Sequence, residues 1–262
     1  MSEFKRITSR DNPFFKSLLK LSSSARERGA LGQTLLDGTH LLHAFLDSGR
    51  QPLHLLFNEQ AGQNSEIKSL LSRCAELPKT QLDDALFAQL SELKTPNGLL
   101  ALVDMPVPAR TPAQCQFILL LEDIQDPGNL GSILRSAAAA GCDAVFLSPA
   151  CADAWSPKVL RAGMGGHFVL DIYENADLIQ IAREFNGKLL AASLQAECSL
   201  YACDLRGKLG FAVGNEGAGL SPTLQAAAQQ HFIIPMPGKV ESLNAAAATA
   251  VCVFEALRQR SI

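Results

Sequence analysis

Beyond residue 116 the apolar residues come in short unbroken runs, separated by polar, glycine-bearing turns. FILLLED (117–123), DAVFLS (143–148), HFVLDIY (167–173), KLLAAS (188–193), LGFAVGN (209–215) and HFIIPM (231–236) are the clearest. A strand with one face in water alternates apolar and polar positions. Near-continuous runs instead mark strands buried on both faces, as in parallel sheets. Helical patterns fall between several of them, at 129–140, 156–163, 175–185 and 221–229, and a longer one at 242–260 closes the chain. Strand and helix alternate, which predicts an α/β domain with a parallel sheet and helices on both faces.

The first part of the chain is organised differently. TLLDGTHLLHAFLDSG (34–49) sets Leu41, Leu42, Phe45 and Leu46 at helical spacing and stops at Gly49. PLHLLFN (52–58) predicts a strand, a helix follows near 65–76, and TPNGLLALVDM (95–105) predicts a turn and a strand. Together they describe a smaller α/β domain. DMPVPARTPAQCQ (104–116) then places Pro106, Pro108 and Pro112 close together, which excludes a helix and favours an extended linker. The expected organisation is a first domain at 1–105, a linker at 106–116 and a second domain at 117–262. No internal repeat or low-complexity tract interrupts it.

Composition adds little beyond a soluble, globular class: 47% of residues are hydrophobic and 19% charged. The N-terminus, MSEFKRITSR, is charged from its third residue and has no apolar core of a secretory signal. The apolar stretch AAAATAVCVF (245–254) is far shorter than the roughly 20 residues that span a bilayer. A cytoplasmic protein is expected. Its seven cysteines form no CxxC and its five histidines show no zinc spacing, so reduced thiols and no metal are expected.

Charge changes the picture more. Residues 1–28 hold seven basic side chains against three acidic ones, a net of +4 in a chain of net −3, leaving −7 for the remainder. A basic segment on an acidic body suggests a polyanionic partner such as nucleic acid, with Phe4, Phe14 and Phe15 available to stack or to pack. A solvated helix face has the same composition.

Three strand ends carry unusual residues, and ligands of open α/β sheets collect beyond the carboxyl ends of strands. The first is LLLEDIQDPGNLGSILRSAAAAG (119–141). Here Pro127-Gly128 turns the chain, Asn129 is a candidate N-cap or ligand contact, and Arg135 is a surface arginine or a functional one. The second is AVGNEGAGLS (212–221), with Gly214, Gly217 and Gly219 around Glu216. Its spacing is neither the dinucleotide fingerprint nor a Walker phosphate loop, which disfavours a dehydrogenase and an NTPase. The third is IIPMPGKVESLNAAAATAVCVFEAL (233–257), with Ser242 as a candidate N-cap and a run of alanines suited to close helix packing, in the core or against a second subunit.

Each motif is weak alone, but their order is specific. The chain resembles the SpoU, or TrmH-like, RNA 2′-O-ribose methyltransferases of the SPOUT superfamily, from about 117 to 258 through DPGNLGSILRSAAAAG, GNEGAGLS and IPMPGKVESLNAAAA. SPKVLRAGMGGHF (156–168) is similar to a helix of that family. LLDGTHLLHAFLDSG and TPNGLLALV resemble the start and end of its ribosomal-protein-like RNA-recognition domain. Asp37, Gly163 and Ala245 depart from the usual Glu, Ser and Val, and none of the three is among the residues the resemblance places at the reaction.

The resemblance implies S-adenosylmethionine held in a pocket built by a C-terminal trefoil knot, lined by main chain around Leu194, Gly214, Ile234, Met236 and Leu243. It implies methyl transfer to a ribose 2′-hydroxyl without a metal, with Asn129, Arg135, Glu216, Ser242 and Asn244 at the reaction. Arg135 matches the arginine on which these enzymes most depend, as general base or as a clamp for phosphate and the developing oxyanion. A homodimer through the C-terminal domain is implied, with RNA as substrate. Ribosomal RNA is favoured over transfer RNA because the N-terminal recognition domain is complete. A non-catalytic RNA-binding or ribosome-associated protein that kept the fold is the alternative.

Overall fold

The computed structural model describes residues 4–93, 97–215, 217–240 and 242–261. The chain divides into two compact units, one of residues up to Pro106 joined by Trp155–Phe168, the other of Val107–Ala154 and Val169–Ile262.

The first unit contains β1 (Lys5–Ile7), α1 (Pro13–Ser23), α2 (Ala25–Leu31), β2 (Gln33–Asp37), α3 (Thr39–Asp47), β3 (His54–Phe57), α4 (Ser65–Arg73), β4 (Lys79–Leu82), α5 (Asp84–Leu90) and β5 (Leu99–Asp104). Its sheet runs β1-β4-β3-β5-β2, parallel among β1, β4 and β3, and antiparallel where β5 joins β3 and β2. α1 starts where the Asn12 side chain accepts from the Phe14 and Phe15 amides and Pro13 presets the first turn. The helix buries Phe15, Leu18 and Leu21 and leaves Lys16 and Lys20 in water. Phe15 is therefore core, and Arg28 is buried as well, donating to the carbonyls of Leu21 and Ser22 near the end of α1. The basic surface of this segment is smaller than its composition suggests.

The stretch 34–49, which spacing alone reads as one helix, is two elements. Leu35 and Leu36 belong to β2, paired with β5, and the chain turns into α3 at Gly38, whose φ of 98° suits glycine. Segment Trp155–Phe168 lies beyond the boundary drawn at 117, yet packs with this first unit. Thr34 Oγ1 donates to the Trp155 carbonyl at 3.0 Å, and Arg50 to that of Phe168 at 3.0 Å.

The second unit contains β6 (Phe117–Leu121), α6 (Pro127–Ala139), β7 (Ala144–Leu147), β8 (Asp171–Tyr173), α8 (Leu178–Glu184), β9 (Lys188–Ala192), β10 (Leu209–Val213), α9 (Pro222–Ala227), β11 (Gln230–Phe232) and α10 (Ala245–Arg260); α7 (Pro157–Gly163) belongs to the first unit. The sheet order is β11-β9-β10-β6-β7-β8, and every pairing is parallel. All five residues of β6 and of β10 are buried, as their unbroken apolar sequence requires. β6 and β10 are neighbours, but β6 leads to β7 on one side and β10 leads to β11 on the other. The crevice beyond such a switch point is where ligands bind in this architecture.

Two caps differ from expectation. α6 is capped by Asp126, whose Oδ1 accepts from the Asn129 amide at 2.7 Å, so Asn129 sits in the first turn and is not the cap. α10 begins at Ala245, capped by Asn244 through the Ala246 and Ala247 amides, so Ser242 is not its cap. Each segment offers two residues of capping type, and the helices use Asp126 and Asn244. Among the described residues no helix is long and apolar enough to cross a membrane.

Candidate active site

The loops after β9, β10 and β11 enclose a cavity of about 310 Å³. All five positions matched to the cofactor pocket, Leu194, Gly214, Ile234, Met236 and Leu243, border it, and Ser242 does too. The shape of the middle loop follows from its glycines. A Cβ on Gly214 would lie 2.3 Å from the carbonyl carbon and oxygen of Gly219, so a side chain there cannot coexist with this loop. Gly219 has φ 68° and donates its amide to the Asn215 carbonyl at 2.9 Å, closing the loop on itself.

Asn215, which the motif spacing does not mark out, organises this loop. Its Oδ1 accepts from the Gly217 amide at 2.8 Å and the Ala218 amide at 3.2 Å. A signal is present in the residue type: an Asx side chain that accepts from amides two and three residues on is a common turn former. Glu216 lies outside the described residues.

Two of the other matched positions, Asn129 and Asn244, meet at the N-terminal ends of α6 and α10. Asn244 uses Oδ1 for its cap, which leaves Nδ2 to donate to Asn129 Oδ1 at 2.8 Å. This bond joins the first and third motifs across 115 residues of sequence. Arg135 is exposed on α6, and among the described residues its side chain makes no hydrogen bond or ion pair. Neither Asn129 nor Arg135 borders the cavity.

Burial raises the thiols of Cys74, Cys115, Cys142, Cys151, Cys203 and Cys252 above the ordinary value, Cys115 and Cys203 to about 11. None of these six is therefore a ready nucleophile. Among the described residues no group of three or more His, Cys, Asp and Glu could hold a metal ion.

The cavity and the glycine loop lie beyond the carboxyl ends of β9, β10 and β11, the place where open α/β sheets bind their ligands. Residues 116–254 match the SpoU rRNA Methylase family, and residues 12–101 match an MRM3-like substrate binding domain. The chain belongs to the SpoU rRNA methylase family. It is 33% identical to an uncharacterised tRNA/rRNA methyltransferase of Synechocystis sp., over 99% of this chain and 96% of that one. It is 30% identical to the 23S rRNA (guanosine(2553)-2′-O)-methyltransferase RlmP of Bacillus subtilis, over 95% and 98%. The structure of the SpoU methyltransferase AviRb from Streptomyces viridochromogenes, in complex with the cofactor AdoMet, superposes with a TM-score of 0.84 at 27% identity, covering 95% of this chain and 98% of that one.

Proposed function

We propose that this protein transfers the methyl group of S-adenosylmethionine to a ribose 2′-hydroxyl in ribosomal RNA. The observation that carries the reading is the cavity bounded by the loops after β9, β10 and β11 in a chain of this family. Its lining suits the cofactor: apolar side chains such as Leu194, Ile234, Met236 and Leu243 for an adenine, and glycine main chain for hydrogen bonds to its edges. Bound there, S-adenosylmethionine would supply an electrophilic methyl on a sulfonium and leave as the neutral thioether, the proton of the 2′-hydroxyl passing to solvent water. The C-terminal segment is proposed to be knotted, an exception to ordinary chain topology.

The chain's own part is positioning and charge stabilisation. Arg135 keeps its charge and has no acceptor, so its role is electrostatic: it clamps the substrate's phosphate and the negative charge growing on the 2′-oxygen. Asn129, held by Asn244, orients the ribose beside it, and Ser242 lines the cofactor side. Glu216, between the loop glycines, would steady Arg135 or Asn129 by accepting a hydrogen bond.

The first unit is proposed to bind the RNA through its basic surface, and the second to pair with a second copy through the α10 region, where Phe254 is 46% exposed. A cytoplasmic location follows from the ribosomal RNA substrate. Isothermal titration with S-adenosylmethionine tests the pocket: micromolar binding is expected, and no binding would favour a non-catalytic RNA-binding role instead.

A further inference from the structure

The cavity explains Gly214 and Gly219 but leaves unexplained an acidic pair at the end of β6. Glu122 and Asp123 follow directly on the strand, and each is engaged in a way its sequence does not advertise.

Glu122 directs both carboxylate oxygens at one residue. Its Oε2 accepts from the Ser221 amide at 2.6 Å and its Oε1 from Ser221 Oγ at 2.7 Å. Ser221 is the last residue of the glycine loop and the N-cap of α9, through the Leu224 amide at 3.3 Å. The Glu122 amide donates to the Val213 carbonyl at 3.0 Å, which aligns it with the end of β10. A carboxylate is the group that accepts two converging donors at once.

Asp123 adopts φ 58°, a left-handed backbone that is unfavourable for a residue with a side chain. Ser148 holds it there: the Asp123 amide donates to Ser148 Oγ at 2.9 Å, and Ser148 Oγ donates to Asp123 Oδ1 at 2.7 Å. Strained residues of this kind persist only where surrounding contacts fix them. In this conformation the Asp123 carbonyl accepts from Asn215 Nδ2 at 3.1 Å. Asn215 is the first residue after Gly214, and its Oδ1 already holds Gly217 and Ala218.

Both ends of the glycine loop are thus tied to two consecutive residues at the end of β6. Asn215 opens the loop and is bound to Asp123; Ser221 closes it and is bound to Glu122. Those same two residues lead, within three more, to Asp126, the cap of the helix that carries Asn129 and Arg135. We propose that Glu122 and the Asp123 carbonyl form a clamp that fixes the cofactor loop against the arginine-bearing helix, which makes Glu122 and Asn215 positioning residues for the cofactor. The proposal rests on reading the cavity as the S-adenosylmethionine site.

Three variants of the full chain test it. Glu122→Ala removes both acceptors. Glu122→Gln keeps an oxygen for the Ser221 amide and an amide group that Ser221 Oγ can accept from. Asn215→Asp preserves the Oδ1 that holds Gly217 and Ala218 but turns the donor to Asp123 into an oxygen. Titration with S-adenosylmethionine is expected to show affinity about tenfold weaker in Glu122→Ala and Asn215→Asp, the scale of losing hydrogen bonds to a charged group or opposing two acceptors. Glu122→Gln is expected to recover most of it. In turnover the loss is expected in KM for the cofactor, with kcat at saturating cofactor within about threefold of the parent.

Binding within twofold of the parent by Asn215→Asp would overturn the clamp, whether or not Glu122→Ala folds. Failure of the unsubstituted chain to bind S-adenosylmethionine at all would overturn instead the assignment of the cavity on which the clamp rests.

Discussion

Arg135 is the residue on which the proposed chemistry turns. An exposed guanidinium without a partner among the described residues is available to an incoming RNA. Replacing it by alanine removes no packing, since it is not one of the buried residues of α6. Arg135→Ala is expected to leave S-adenosylmethionine affinity nearly intact and to slow methyl transfer by about 10² or more, the scale of one lost oxyanion donor. Full activity in that variant would remove the assignment. Gly214 behaves in the opposite way. Gly214→Ala forces its new carbon onto the Gly219 backbone, so cofactor affinity is expected to fall by about tenfold or more, consistent with overpacking costs of about 1–3 kcal/mol. Gly238→Ala is the control: among the described residues a Cβ there meets nothing within 4 Å, and titration is expected to give the parent affinity.

At the scale of elements, Glu255 gives α10 a pH-dependent share of the native state's stability. Glu255 on its buried side accepts from Arg258 and Gln259 at 2.8 Å, and the Arg258 bond, then that of Gln259, holds its carboxyl down at about 2. Gln259 in turn accepts from the Leu205 amide at 3.0 Å and donates to the Cys203 carbonyl at 3.1 Å. A carboxyl lowered on folding stabilises the native state above its ordinary value of 4.5, and that contribution is lost as pH falls from about 4.5 towards about 2. Thermal melts of Glu255→Gln are therefore expected to lie below the parent at neutral pH and to converge with it over that acidic range. A constant difference at every pH would show that packing, not charge, is lost.

Elements also differ in how plainly the sequence announces them. The doubly buried strands of the second unit are legible because an unbroken apolar run of five residues between turns fits little but a strand covered on both faces. β2 is not: Leu35 and Leu36 merge with the helical spacing of α3, and only pairing with β5 separates them. α1 and α2 are hidden behind their charge, and the buried Arg28 shows that a basic residue counted towards a surface patch can instead serve the core. The loops of the candidate site are legible through glycine and proline spacing. Their caps and the contacts of Glu122 and Ser148 are not, because those contacts depend on which strands end side by side.

At the scale of the whole molecule, two units divide the task proposed for this chain, one to hold RNA and one to transfer the methyl group. The second is expected to dimerise. Sedimentation at micromolar concentration is expected to give twice the chain mass, and Phe254→Glu, which puts a charge on an exposed apolar position of α10, is expected to shift it towards the monomer. A monomeric parent chain would contradict this. The central claim, methyl transfer to a ribose 2′-oxygen of ribosomal RNA, is tested most directly by incubating the protein with unmodified ribosomal RNA and methyl-labelled S-adenosylmethionine, then hydrolysing the RNA in alkali. The account predicts label in an alkali-resistant dinucleotide, because a methylated 2′-oxygen cannot attack the adjacent phosphate. Label released with a base, or no transfer of label at all, would contradict it.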